Sequence, residues 1–201
     1  MTEKPILFSG PMVRAILEGR KTQTRRVLKV PETHGHFVGI YAPGLSAVFS
    51  CNATGPNDDV SIRLYSKGDL LWVREAFCYD VVERPPYDVN GNPTCEEIVR
   101  YRATDKDEGT AKWKPSIHMP RWASRITLEV TAVKVERLQD ISEEDAKAEG
   151  VTLSPERENR RRWQHPYGYQ FQELWNSING PGSWDANPWV AAYSFKRVLP
   201  E

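Results

Sequence analysis

The sequence predicts an α+β fold, built as a small mixed β-barrel flanked by short helices and elaborated by long loop or hairpin insertions. Three observations predict it. Apolar patterning runs strand, helix, strands, helix, helix, strand along the chain. Fifteen prolines in 201 residues favour loops and strands over long helices. The run from Ser124 to Leu138 alternates apolar and polar residues, as a long, bulged strand would.

The elements follow in order. Ile6 to Phe8 is a short buried strand. Ser9 or Gly10 caps a helix with Pro11 in its first turn and an apolar stripe of Met12, Ile16 and Leu17. Gly19 stands where a left-handed residue ends such a helix, and the chain then extends from Thr22 to Val27. Residues 31–68 and 79–112 are rich in turn formers and read as insertions or elaborated hairpins on one domain spanning residues 1–201. Within them, Phe37 to Tyr41, Ala47 to Ser50, Val60 to Tyr65 and Ile98 to Tyr101 are strands, while Arg84-Pro85-Pro86 reads as a breaker. Leu70 to Arg74 is a strong buried strand. Ser142 to Glu149 is a short helix with acids in its first turn and Gly150 after its last. Tyr167 to Ile178 is helical by pattern, stopped by Asn179-Gly180-Pro181-Gly182, and Val190 to Val198 closes the fold as a strand.

Composition excludes several classes. A net charge of +0 means that any nucleic-acid surface is local, and no DNA groove-reading motif is present. Three cysteines without CxxC spacing argue against a disulfide framework or a cysteine zinc site. His34-Gly35-His36 lacks an evident third ligand. No metal and no cofactor are expected. No apolar stretch approaches the roughly 20 residues of a membrane span. The N-terminus lacks a secretory pattern, so a cytoplasmic location is expected.

The informative run is Gly19-Arg20-Lys21-Thr22-Gln23-Thr24-Arg25-Arg26. It sets two threonines among four cations directly after a helix. In a strand, Thr22, Thr24 and Arg26 share one face and Lys21, Gln23 and Arg25 the other. A turn at Gly19 lets Lys21 approach Thr24. Burial near Arg26 would lower the Lys21 pKa, because desolvation and a neighbouring cation both disfavour the ammonium. A neutral lysine can then take the proton of a threonine hydroxyl. Glu149, in the last turn of its helix, faces the negative end of the helix dipole, a position that suits a proton donor. Arg157 to Trp163 forms a basic loop with an aromatic, as an RNA contact would. Trp122 is expected to be mostly buried and to wall the pocket. Glu75 either faces the pocket or pairs with Arg74 or Arg100.

The pattern Gly19-x-Lys21-x-x-Thr24-x-Arg26 resembles the signature of the ASCH domain, a PUA-like β-barrel family linked to RNA. Lys67 to Val73 is similar to its central strand, Ile126 to Val135 and Leu138 to Gly150 to its long strand and following helix, and Trp189 to Val198 to its last strand. The length is most similar to larger members from phages and prophages. One branch comprises N4-acetylcytidine amidohydrolases. That resemblance implies Thr24 as nucleophile, Lys21 as base and Glu149 as acid, acting on N4-acylated cytosine nucleosides. Arg26, Thr22, Glu75 and Trp122 would bind substrate. Arg20 and Arg25 are expected to be surface cations. The alternative is a non-catalytic RNA-binding module, or a ribonuclease for single-stranded RNA, using the same cationic cleft. The expected partner is therefore a nucleoside or RNA, with no membrane.

Overall fold

Short strands and helices follow from the turn-forming residues that punctuate the chain. The computed structural model describes residues 3–41, 45–51, 59–87, 93–105, 111–153 and 166–199, and the fold is α+β. Ten strands are assigned among them: β1 (Glu3–Leu7), β2 (Gln23–Val27), β3 (His36–Tyr41), β4 (Ser46–Ser50), β5 (Val60–Arg63), β6 (Leu70–Arg74), β7 (Phe77–Tyr87), β8 (Pro93–Tyr101), β9 (Thr127–Arg137) and β10 (Trp189–Val198). The α-helices are α1 (Gly10–Leu17), α2 (Glu143–Ala148) and α3 (Pro166–Asn179).

Five strands form the main sheet, in the order β1-β6-β9-β10-β2. β1 pairs parallel to β6, and the other pairs are antiparallel. The barrel expected from the sequence is not closed among the described residues: β1 and β2 are the two edges. Arg26 spans between them, donating from Nη2 to the Leu7 carbonyl at 2.6 Å. The long strand carries the expected bulge. Ser194 and Phe195 of β10 face Ala132 and Val130 of β9, which leaves Thr131 as the extra residue.

β10 lies between β9 and β2, and its residues Val190 to Tyr193 are all buried. Ala191, Tyr193 and Phe195 face the main core with Ile6, Leu71 and Leu128. Val190 faces a second cluster with Leu138, Ala146, Phe171 and Trp175. The sheet is thus covered on its second face by α2 and α3. These two helices are tied together, because the Glu143 carboxylate accepts from the backbone N–H groups of Tyr167 and Gly168 at the start of α3.

The stretch 31–68 is more than an appendage. β3, β4 and β5 make a three-stranded sheet, and fully buried Ala47 and Phe49 belong to the main core. The stretch 79–112 holds most of a two-stranded antiparallel β7–β8 ribbon. β7 runs through Arg84-Pro85-Pro86, where the register shifts before Tyr87. A two-stranded ribbon tolerates proline because neither strand needs ladder bonds on both sides. Among the described residues, no helix is long and apolar enough to cross a membrane.

Gly150 fixes the join between α2 and the segment after α1. Its φ is +84°, and a Cβ there would lie 2.8 Å from the Lys21 Cβ and 3.0 Å from the Ala15 Cβ. Backbone conformation and close packing both require glycine. Gly150→Ala should therefore destabilise the fold by about 1–3 kcal/mol or more. Urea titration would measure it, and an unchanged midpoint would show that the turn relaxes at no cost.

Candidate active site

The geometry starts from Gly19, which has φ +75° and reverses the chain at the end of α1. The N–H groups of Arg20 and Lys21 both donate to the Ala15 carbonyl, at 2.9 and 3.0 Å. Thr22 then donates to the Ala148 carbonyl at 2.8 Å and accepts from Phe195 at 2.9 Å. The backbone at Lys21 is thereby clamped against the end of α2, where Lys21 and Glu149 form an antiparallel bridge. Two residues 128 positions apart are set side by side before any side chain is considered.

Their side chains meet. Lys21 Nζ donates to Glu149 Oε2 at 2.6 Å and to the Glu149 carbonyl at 2.9 Å. Both residues are buried, at 2% and 6% exposure. Burial is the main influence on Lys21 and pushes its pKa below the ordinary lysine value. The Glu149 charge and hydrogen bond oppose that shift, and Arg26 and Arg25 reinforce it. The Phe8 ring lies 5.8 Å from the ammonium.

Arg25 corrects the expectation of a surface cation. It is 5% exposed and gathers three carboxylates. Its Nε and Nη2 donate to Glu136 Oε1 at 3.1 and 2.7 Å, Nη2 to Asp145 Oδ2 at 2.9 Å, and Nη1 to Glu149 Oε1 at 3.1 Å. Nη1 also reaches Gln23 Oε1 at 2.5 Å, and Gln23 in turn donates to Asp145. Strand alternation groups Gln23 with Arg25, but it does not say that α2 and α3 cover this face. Glu136 and Asp145 escaped the sequence reading altogether. One cue lay in β10: Ala192 stands between Arg25 of β2 and Lys134 of β9, and so small a side chain leaves room for long ones to converge.

Thr24 is 3% exposed and pairs in register with Tyr193 of β10. It lines a cavity of about 260 Å³ together with Glu149, Arg26, Met12 of α1, and Phe171 and Trp175 of α3. Lys21 is not on this wall; it stands behind Glu149. The structure thus brings Thr24, Glu149 and Arg26 to one cavity and couples Lys21 to it through the ion pair. Arg26 is held by the Leu7 carbonyl and lies 5.4 Å from the Phe8 ring.

The remaining candidates lie elsewhere. Thr22 is exposed, with its backbone engaged as above. Glu75 is 1% exposed and forms a two-pronged pair with Arg125 at 2.9 and 3.0 Å, so its partner is neither Arg74 nor Arg100. Trp122 is not buried but 69% exposed, and it stacks on Tyr79 at 5.8 Å. Its turn, Arg121–Ala123, packs inward through Ala123 instead, which points the indole outward. The basic loop at Arg157 to Trp163 lies outside the described residues.

Comparison of the chain with family models, with curated proteins and with solved structures finds no match.

Two buried cations here depend on one carboxylate. Glu149→Ala would leave Lys21 and Arg25 short of a partner and should cost about 3–5 kcal/mol. Glu149→Gln, which preserves shape and one acceptor, should cost less. Denaturant titration of both variants checks the order, and a loss below about 1 kcal/mol for the alanine variant would mean that water replaces the carboxylate.

Proposed function

We propose that the chain is an ASCH-type amidohydrolase that removes the acyl group from N4-acylated cytosine nucleosides, and that its curled five-stranded sheet is a PUA-like core left open at β1 and β2. One observation carries this reading: Glu149, which lines the same cavity as Thr24, makes a buried contact of 2.6 Å to Lys21 behind it. The cavity is near the small end of ligand sites, which run from about 300 to 1,000 Å³. That size suits a single base.

The pair supplies both halves of the chemistry. Its shared proton gives either ammonium with carboxylate or amine with carboxylic acid. Burial disfavours separated charge and lowers the Lys21 pKa, which raises the share of the neutral form. In that form Lys21 is a base and Glu149 an acid. The Thr24 oxygen bonds to the acyl carbon while its proton passes to the Lys21 amine. Arg26 or backbone N–H groups hold the oxyanion. Glu149 protonates N4, the C–N bond breaks, and the cytosine amine departs. Water then attacks the Thr24 ester. Glu149 takes the water proton, Lys21 returns its own to Thr24, and the acid leaves with both groups reset.

Purified protein should convert N4-acetylcytidine to cytidine, followed by chromatography. Thr24→Ala and Lys21→Ala should each lower kcat by about 10²-fold or more. Full activity in Thr24→Ala would sink the mechanism. The active form of the pair holds one proton, so kcat/KM should be bell-shaped in pH, and because burial lowers the Lys21 pKa its falling limb should lie at an apparent value below that of free lysine. That value belongs to the Lys21–Glu149 pair. A rate still rising at pH 10.5 would contradict it.

A further inference from the structure

A second cavity adjoins the first. It is an open groove of about 580 Å³, and the two share Arg26 and Val27. The first runs beside Thr24 to Val27 and the second beside Arg26 to Lys29, so together they follow β2, the sheet edge. The groove is lined by Lys4, Arg26, Lys29, Arg63, Tyr65 and Tyr193 among others, and none of its described lining residues is acidic. Lys29 and Arg63 are exposed. Lys4 is held by Asp69 at 2.5 Å, which leaves Arg26, Lys29 and Arg63 as the groove's main charges. Arg26 uses one N–H on the Leu7 carbonyl, and a guanidinium carries five. Tyr65 and Tyr193 pack 5.0 Å apart, and burial pushes the Tyr193 phenol up to about 12, so it stays a neutral hydroxyl. Cations beside hydroxyls and ring faces are the chemistry that takes a phosphate and its attached sugar.

We propose that this groove is a phosphate subsite, so that the ligand is a phosphorylated cytosine nucleotide with its base beside Thr24 and its phosphate among Arg26, Lys29 and Arg63. Only the identity of the base rests on the function proposed above. The phosphate belongs either to a mononucleotide or to a single strand. The cations come from β2, the residues just after it, and β5, a spread that admits either source.

The test reads binding rather than turnover, by calorimetry at low and physiological salt. Wild-type protein should bind cytidine 5′-monophosphate about tenfold or more tightly than cytidine at low salt, and the ratio should shrink as salt rises. In Lys29→Ala/Arg63→Ala, two exposed sites, the ratio should fall toward one. A short oligocytidylate tighter than the monophosphate by about another tenfold identifies a strand, and equal affinity identifies a mononucleotide. Equal binding of cytidine and its monophosphate by wild-type protein, or a ratio that survives the double substitution, would overturn the subsite. If the ratio behaves as expected but N4-acetylcytidine is never hydrolysed, the groove stands and the amidohydrolase reading falls. Turnover with no phosphate preference means the reverse.

Discussion

The structure around the cavity depends on one constraint, the neutralisation of two cations buried beneath α2. Lys21 and Arg25 have side-chain exposures of 1% and 0%, and a lone charge so placed would cost many kcal/mol. Glu149, Glu136 and Asp145 answer them, and Lys134 sits on Glu136 at 2.5 Å. Three cations therefore meet three carboxylates. These groups come from the turn before β2, from β2, β9 and α2, and from the residue that ends α2. The elements are held in register because the charges, Arg25 with its three carboxylates above all, are satisfied together only in this arrangement. A purely apolar interface of the same size would be no less stable, but it would not fix Glu149 against Lys21 to within a hydrogen bond.

That fixation also explains the arrangement of the sheet edge. β2 pairs with β10 on one side only, and in an antiparallel pair every second residue turns its backbone N–H and C=O away from the partner. Such an edge invites stray pairing unless it is covered or charged. Here α1 and α3 stand over one stretch of it and form the smaller cavity. Arg26 and Lys29 charge the next stretch. The same features that protect the edge would offer the proposed ligand both polar backbone and cations.

Much of this was legible in the sequence. Secondary elements with a single apolar period appeared where expected, among them α1, β6, α2 and β10, because local pattern decides them. The Gly19 turn and the Gly150 stop were readable because only glycine suits those conformations. The closure of the sheet was not readable, since it depends on how far the strands curl and on which edges meet. Arg25 and Trp122 went wrong for the same reason in opposite senses. Alternation assigns a residue to a face, but the packing of helices far along the chain decides whether that face is covered. Arg25 lies under α2 and α3. Trp122 lies beside a ribbon whose own core is already filled by Phe77, Met119 and Ala123.

The arginines of the opening run acquire a role through Lys21. Three influences compete for its proton. Burial favours the amine, while the Glu149 carboxylate and the Glu149 carbonyl at the end of α2 favour the ammonium. Burial is the largest of these influences, and it lowers the Lys21 pKa. Arg25 and Arg26 each add a positive charge that disfavours the ammonium, and Arg25 also draws on the other oxygen of Glu149, which weakens that carboxylate's hold on Lys21. The two arginines thus add, as the smaller influences, to a lowering of the Lys21 pKa that burial leads. A cationic run is a poor place for a lysine whose task is to stay charged, which agrees with the base role proposed for Lys21.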